Sequence, residues 1–487
     1  MDEFVQQFPD GLPVGDSWVP TRATEQVTFP YDGSLVSQAP LGDVELAARA
    51  VEAALEVRDA ASRMPSHVRR TALFGAHAAL LDRRADFERL LVLETGKPLV
   101  DCRVEVERTL LTLQTAAEEV ARLHGETVPL DLLPSGEGLM GFWVRKPIGV
   151  VVGIAGFNYP LLLATHKIAP SLAAGCPIIA KPAPQTPLAT LWLVHLVREV
   201  LVAAGGPAAA VQLVTGGPEV GVALTTDRRI GAVSFTGSAA VGHQIAKDAA
   251  PTKVLLELGS NAALVVASDA DLDAAADAVV RGGYYASGQA CISVQRVVVV
   301  ESAREDFLTL LSDRMGQVAI GDPREPSTRV SALIDDRSTT RVQTWLAEAV
   351  KAGATLVCGG GVIDGVLEPT VLLDVPSGQS AWDEEIFGPV VAVQSVVDLA
   401  AAFDVVNDSR YGLHASVYTA SLESAFMAID RLEVGGVVVN EVPGFRSDVM
   451  PYGGVKDSGA GREGPRFAID ELTVTRMAVI RPTTRKG

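Results

Sequence analysis

The sequence predicts an α/β protein built on two parallel-sheet units. Two observations carry this. Short apolar, β-branched runs alternate with helical stretches through most of the chain, the order that covers a parallel sheet with helices on both faces. The composition is rich in small residues, with 45 glycines and only 5% aromatics in 487 residues. With 48% hydrophobic residues the chain is long enough for two or three domains with sizeable cores.

Residues 1–40 read as an extended arm with turns at Phe8-Pro9-Asp10-Gly11 and Tyr31-Asp32-Gly33-Ser34. Leu46, Ala50, Ala53, Ala54, Val57 and Ala61 then recur at helical spacing behind the candidate cap Asp43. A second helix starts near Ser66, and a third spans about 101–123 and stops before Gly125. Residues 125–147 read as an excursion between this helical region and a sheet core. The strands IGVVVGIAG, CPIIAKP, AVQLVTG and GAVSFTGS alternate with helices over 160–173, 187–204, 218–225 and 239–249. A second alternating unit begins near Glu257, with NAALVVAS, RVVVVES, PVVAVQSV, HASVYTA and VGGVVVN as strands and helices over 271–283, 303–315, 398–407 and 423–431. The closing ELTVTRMAVIRPT alternates, and predicts a strand that pairs with another element or another subunit.

The net charge of −18 argues against nucleic acid or an anionic membrane as partner. Cys102, Cys176, Cys291 and Cys358 lie far apart with no CxxC pair and no histidine cluster, which argues against a disulfide framework and against a metal site. The polar start MDEFVQQFPDG does not read as a signal peptide, and the apolar stretch 148–164 is broken by Asn158, Tyr159 and Pro160. A reducing, cytoplasmic setting is expected.

Several positions could carry chemistry. Cys291 follows the small-residue loop Ser287-Gly288-Gln289-Ala290 and precedes the apolar run Val297–Val300, which would hold it as a presented nucleophile. A lone free cysteine is more often a small buried hydrophobe. Asn158 follows a strand in Phe157-Asn158-Tyr159-Pro160 and could donate to a developing oxyanion, or simply form a turn. Lys181 leaves a strand at Lys181-Pro182-Ala183-Pro184, where it could donate to ribose hydroxyls or phosphate, or be solvated. Gly237 and Ser238 sit between strand and helix, where helix N–H groups meet phosphate, although FTGSAAVG is not a GxGxxG fingerprint. Glu257 lies inside the apolar run LLELG, where lost solvation would raise its pKa and suit a general base, unless it turns outward to a salt bridge. Glu385 and Phe387, in EEIFGP, offer a carboxylate and a ring at a turn. Arg103 reads equally as a solvated arginine or an anion contact.

Together the motifs FNYP (157–160), KPAPQTP (181–187), FTGSAAVG (235–242), LELGS (256–260), GQAC (288–291), EEIFGP (384–389) and PYGGVKDSGAGREG (451–464) resemble the NAD(P)-dependent aldehyde dehydrogenase superfamily over nearly the whole chain, in that family's order and spacing. The resemblance implies its fold: a Rossmann-like cofactor domain (1–124 and 148–256), an α/β catalytic domain (257–440) and a small β oligomerisation element (125–147 and 465–487), hence a homodimer or homotetramer. It implies Cys291 as the nucleophile, the Asn158 amide with the Cys291 N–H as the oxyanion site, and Glu257 as the base that activates water. Lys181 with Ala183 and Pro184 would meet the adenosine ribose, Gly237 and Ser238 the pyrophosphate, Glu385 the nicotinamide ribose, and Phe387 the nicotinamide.

Pro184 stands where NAD-preferring members often carry a glutamate, so either NAD or NADP is expected. Ala290 stands where relatives acting on phosphorylated aldehydes often carry arginine. Arg103 and Arg446 match positions that contact anionic substrates, with Phe157 and Ile292 as further pocket walls. The stretch Phe445–Asp448 is most similar to the lactaldehyde and glyceraldehyde-3-phosphate-type branch. A coenzyme A-acylating member is an alternative, which Glu257 argues against because a thiol acceptor needs no water-activating base. A non-catalytic member is another, which the presence of both Cys291 and Glu257 argues against.

Overall fold

The computed structural model describes residues 5–482. The ends of the N-terminal arm and of the 465–487 element lie outside the described residues.

The first sheet has six strands, ordered Gly459–Ala460, Lys253–Glu257, Ala232–Thr236, Val151–Ile154, Ile178–Lys181 and Val211–Leu213. All run parallel except Gly459–Ala460, which pairs antiparallel with Lys253–Glu257. The order reverses at Val151–Ile154. From there the chain builds outward through 178–181 and 211–213, then returns to add 232–236 and 253–257 on the other side. Helices leaving neighbouring strands at such a point fall on opposite faces, so a crevice opens at the strands' carboxyl ends. Ile154 and Thr236 end the two strands at this crevice.

The second sheet has seven strands, ordered Thr355–Cys358, Thr370–Leu373, Val390–Val396, Arg296–Val300, Ala263–Val266, His414–Tyr418 and Gly436–Val439. Only Thr355–Cys358 runs antiparallel. Its central strands are buried on both faces, which is why they read as unbroken valine runs. The alternating C-terminal strand Thr473–Ile480 pairs with Met140–Pro147, which also pairs with Glu126–Val128. The excursion and the tail thus form one three-stranded antiparallel sheet. The expected N-terminal arm is two antiparallel pairs, Leu12–Val14 with Ser17–Val19 and Ala23–Thr28 with Leu35–Leu41.

The helix expected over 101–123 starts earlier, behind Pro98, and spans Leu99–Glu119 before tightening into a 3₁₀ turn at Val120–Arg122. Four helices were not expected: the short Ser380–Asp383 and Pro465–Glu471, and two longer ones. Arg84–Thr95 buries a glutamate and a threonine beside its leucines, so its apolar face is blurred in sequence. Asp336–Ala352 has a signature visible in sequence, with Asp335 capping the Ser338 N–H and Val342, Leu346 and Ala349 buried on one face.

Two buried carboxylates organise the crevice side of the first sheet. Glu105 accepts from the N–H groups of Leu161 at 2.9 Å and Leu162 at 3.1 Å, in the first turn of helix Pro160–Ala174. Glu94 does the same for Leu188 and Ala189, at 2.9 and 3.0 Å, in helix Leu188–Ala203. Neither helix has a side-chain cap of its own, so a carboxylate from a neighbouring helix satisfies N–H groups that would be orphaned and meets the positive end of the helix dipole. The buried Lys97 ammonium pairs with Glu105 and lies over the Tyr159 ring, 3.7 Å from its centroid. Glu105→Ala removes both the cap and the only carboxylate that pairs with Lys97 among the described residues. It is expected to destabilise the protein by about 3 kcal/mol, read as a lower midpoint in urea unfolding.

Candidate active site

A cavity of about 720 Å³ opens at the carboxyl ends of the first sheet and runs between it and the second. Its walls include Phe157, Asn158, Gly237, Ser238, Glu257, Cys291, Ile292, Glu385, Phe387 and Arg446. Six of the seven motifs, scattered over three hundred residues, therefore supply one space.

The loop carrying Cys291 is held in an unusual shape. Ala286, Ser287 and Gly288 all have positive φ, at 49°, 56° and 73°. For the two non-glycine residues this costs roughly 1 kcal/mol or more each. Gly288 is required, because a Cβ there would collide with the backbone carbonyl of Gly388. Four contacts hold the loop. Asp101 accepts from the Ala286 N–H at 2.9 Å, and Ser287 Oγ accepts from the Ser331 N–H at 2.9 Å. Gln289 Oε1 accepts from the Ile334 N–H at 3.0 Å, and the Gln289 carbonyl accepts from Asn158 Nδ2 at 2.9 Å. The last contact fixes the amide beside Cys291. An amide has two N–H donors, so one remains for an oxygen bound at the sulfur.

Cys291 is partly exposed to the cavity, and its Sγ lies 3.3 Å from the Tyr452 hydroxyl. Burial pushes its pKa up to about 12, with Glu385 and Glu257 adding to the rise, while the Tyr452 contact and Arg446 oppose it. Glu257 ends the strand Lys253–Glu257 and is buried, with no hydrogen-bond partner for Oε2 among the described residues. Burial, then the nearby Glu463 carboxylate, raise its pKa well above the ordinary range. The outward-facing alternative for this glutamate does not occur.

Beneath these groups lies a cluster of buried charges. Glu463 contacts Lys167 Nζ and Arg446 Nη2, each at 3.2 Å. Asp448 accepts two hydrogen bonds from Arg108, at 2.9 and 3.0 Å. The ring nitrogens of His166 lie 3.2 Å from Asp448 and 3.1 Å from Glu463. Although burial opposes it, these cations hold the Glu463 and Asp448 carboxyls well below the usual range. Lys167, Arg108 and Arg446 face these two carboxylates, and Glu257 is driven toward its neutral form, so the cluster beside the cavity carries excess positive charge.

Arg103, expected as an anion contact, is corrected by the structure. It is half exposed, lies 3.5 Å from Glu88, and is not among the residues lining the cavity. Asp101, Val104 and Arg108 line it instead. They recur at i, i+3 and i+7, a face that helical periodicity could have revealed. Arg446 does reach the cavity, as one member of the ion cluster. His166 and Lys167 were missed too, though two basic residues inside the apolar PLLLATHKIAPSLAA were a visible signal.

At the other end the lining residues fit a dinucleotide. The first turn of helix Ala239–Ala249 opens on the cavity through Ala239 and Ala240, and its N-cap Ser238 makes no side-chain cap bond. Free N–H groups at a helix start suit a phosphate. Glu385 is anchored by the Ser260 N–H at 3.0 Å, and burial pushes its pKa up to about 7. Phe387 meets Phe157 edge-on, with centroids 5.6 Å apart. Lys181 lies one strand further along, in register with Ile154, and donates to the Gly216 carbonyl at 2.7 Å. Lys181, Ala183 and Pro184 lie outside the lining of this cavity, on the continuation of the same sheet edge.

Residues 18–478 match the aldehyde dehydrogenase family. The chain belongs to that family. It is an NAD(P)-dependent aldehyde dehydrogenase, oxidising an aldehyde to the carboxylic acid. It is similar to 3-sulfolactaldehyde dehydrogenase of Priestia aryabhattai, with 38% identity covering 98% of each chain. Among solved structures it resembles aldehyde dehydrogenase 21 from Physcomitrella patens in complex with the reaction product succinate, at TM-score 0.94 and 34% identity over 98% of this chain and 99% of that one. It also resembles the glyceraldehyde-3-phosphate dehydrogenase GapN from Methanocaldococcus jannaschii complexed with NADP, at TM-score 0.91 and 31% identity over 95% of this chain and 100% of that one. These relatives support the lactaldehyde and glyceraldehyde-3-phosphate-type branch.

Because the folded-state pKa of Asp448 is depressed, its contribution to stability is present above the ordinary aspartate pKa and is lost as pH falls through and below it. Asp448→Asn is expected to cost about 3 kcal/mol at neutral pH. The gap between variant and wild type should narrow as urea titrations are repeated at pH values below the carboxylate range.

Proposed function

We propose that Cys291 is the nucleophile of this dehydrogenase and that its substrates are short aldehydes with an anionic tail. One observation carries the reading: Cys291, the tethered Asn158 amide and the buried Glu257 carboxylate line one cavity, with the arginine-rich wall beside them.

The Cys291 thiolate attacks the carbonyl carbon and forms a thiohemiacetal. Asn158 and the Cys291 N–H donate to its oxyanion. Gly237, Ser238, Glu385 and Phe387 would hold a nicotinamide dinucleotide, with Lys181 toward its adenosine end, and that group would supply hydride acceptance. The resulting Cys291 thioester is hydrolysed by water that has given a proton to Glu257. Burial suits Glu257 to that task, since a carboxylate with a raised pKa is a stronger base. The sulfur then leaves with the electron pair of the carbon–sulfur bond.

Arg108 and Arg446 support the anionic tail. Arg108 spends Nε and Nη2 on Asp448, which leaves Nη1 to donate. The sulfonate and carboxylate in the names of the relatives above agree with that chemistry. We read the six-stranded sheet as the cofactor domain and the seven-stranded sheet as the catalytic domain. The three-stranded sheet, with Val474, Met477, Val479 and Ile480 exposed, we read as the oligomerisation element of a dimer or tetramer. No helix among the described residues is long and apolar enough to cross a membrane, and a cytoplasmic setting is our reading of the sequence.

The test follows reduced nicotinamide by its near-ultraviolet absorbance, crossing NAD and NADP with anionic and neutral aldehydes of equal length. Cys291→Ala is expected to abolish turnover. Glu257→Gln should keep a first burst of reduced cofactor but slow steady turnover by about 10²-fold or more. Wild-type kcat should rise with pH through a value above the usual carboxylate range, because the ionised form of Glu257 is the active one. Arg108→Met should lower kcat/KM for anionic aldehydes by about tenfold or more while sparing neutral ones. Equal losses on both would remove the tail assignment.

A further inference from the structure

Burial works against the nucleophile, and the site must offset it. The titratable and charged groups facing Cys291 come from four elements. Glu257 from the first sheet and Glu385 from the loop before Val390 both disfavour a thiolate. Tyr285, from the turn ahead of the loop, is half-buried and keeps its proton, its phenol pushed up by desolvation. Arg446 and Tyr452, from the C-terminal segment, are the two that favour ionisation. Of these, only Tyr452 touches the sulfur, at 3.3 Å.

Tyr452 is placed for this contact by its surroundings. It is 3% exposed. The Arg446 guanidinium carbon lies 3.7 Å from its ring centroid, and the His414 ring meets it edge-on at 5.0 Å. Its backbone exchanges two hydrogen bonds with Glu463, at 3.1 and 2.7 Å, so the phenol is tied to the ion cluster through the main chain as well. Burial holds the phenol pKa well above its ordinary value. When the thiol loses its proton, the phenol retains its own and can only donate. A cation over the ring face withdraws electron density from the oxygen and strengthens that donation.

We propose that Tyr452 is a catalytic residue whose O–H donates to the Cys291 thiolate, with Arg446 as the positioning residue that strengthens the donor. The assignment rests on the reading of Cys291 as nucleophile. Tyr452 then acts twice in each turnover. It raises the fraction of thiolate available for attack. It also receives the sulfur anion when the carbon–sulfur bond of the thioester breaks and the electron pair returns to sulfur.

The test is the pH dependence of Cys291 alkylation by iodoacetamide in the purified enzyme, followed on the peptide that contains Cys291. Peptide mapping is needed because Cys358 is also partly exposed. In Tyr452→Phe, which removes one oxygen, the alkylation midpoint is expected to rise by ~1 pH unit and the rate at neutral pH to fall about tenfold. Cofactor binding, read by fluorescence titration, should be unchanged. In wild-type enzyme with its seven tyrosines replaced by 3-fluorotyrosine, a more acidic phenol, the midpoint should fall; in Tyr452→Phe the same labelling should leave it in place. An unchanged midpoint in Tyr452→Phe, or a fluorine effect that survives in that variant, overturns the assignment of Tyr452. Turnover by Cys291→Ala at the wild-type rate overturns the nucleophile reading itself, and this inference with it.

Discussion

The active site depends on a set of charges that fold out of water together. Glu463 and Asp448 belong to the C-terminal segment, Lys167 and His166 to the helix behind the FNYP loop, and Arg108 to the long helix before it. No one of these ions could be buried alone, since an isolated charge in the interior costs several kcal/mol or more. Their mutual contacts therefore act as a docking condition. The C-terminal segment can close over the cavity only where each carboxylate finds its cation. That closure delivers Tyr452 to Cys291 and brings Gly453 against Glu257, where a Cβ would lie 3.0 Å from Oε1.

The same low-polarity setting tunes each reactive group, and it does so in opposite directions. Glu257 has no direct cation partner among the described residues, so burial dominates and raises its pKa. Glu463, a neighbouring carboxylate in the same interior, has three basic side chains around it and is driven down. Two glutamates in one cluster thus differ in role because of what each touches. The divergence separates a base that can take a proton from an anion that holds the scaffold. Cys291 stands between these cases, desolvated like Glu257 but with the Tyr452 hydroxyl 3.3 Å from its sulfur.

Much of the architecture was legible. The alternation of valine runs with helices announced both parallel sheets, because strands buried on two faces have no polar side to break the run. The alternating tail announced a pairing strand, though not that its partner was Met140–Pro147. Helix Arg84–Thr95 was not legible, since Glu94 is buried for a reason that lies in another helix, the bare N–H groups of Leu188 and Ala189. At the site, Cys291, Asn158 and Glu257 came from motifs. Arg103 came from the family resemblance; Arg108 was not singled out, and only the rotation of their shared helix against Asp448 places Arg108 at the cavity.

What the sequence determined by itself was the inventory: the two α/β units, the cysteine in its small-residue loop, the glutamate inside an apolar run, and the family. These follow from local pattern, which period, burial on two faces and short motifs express directly. What only the tertiary structure decided was proximity. Cys291 and Tyr452 are 161 residues apart, and Arg108 and Asp448 are 340 apart. Their contacts, and the pKa values that follow from them, arise when desolvation and pairing are settled at once across both sheets. No local pattern encodes that balance.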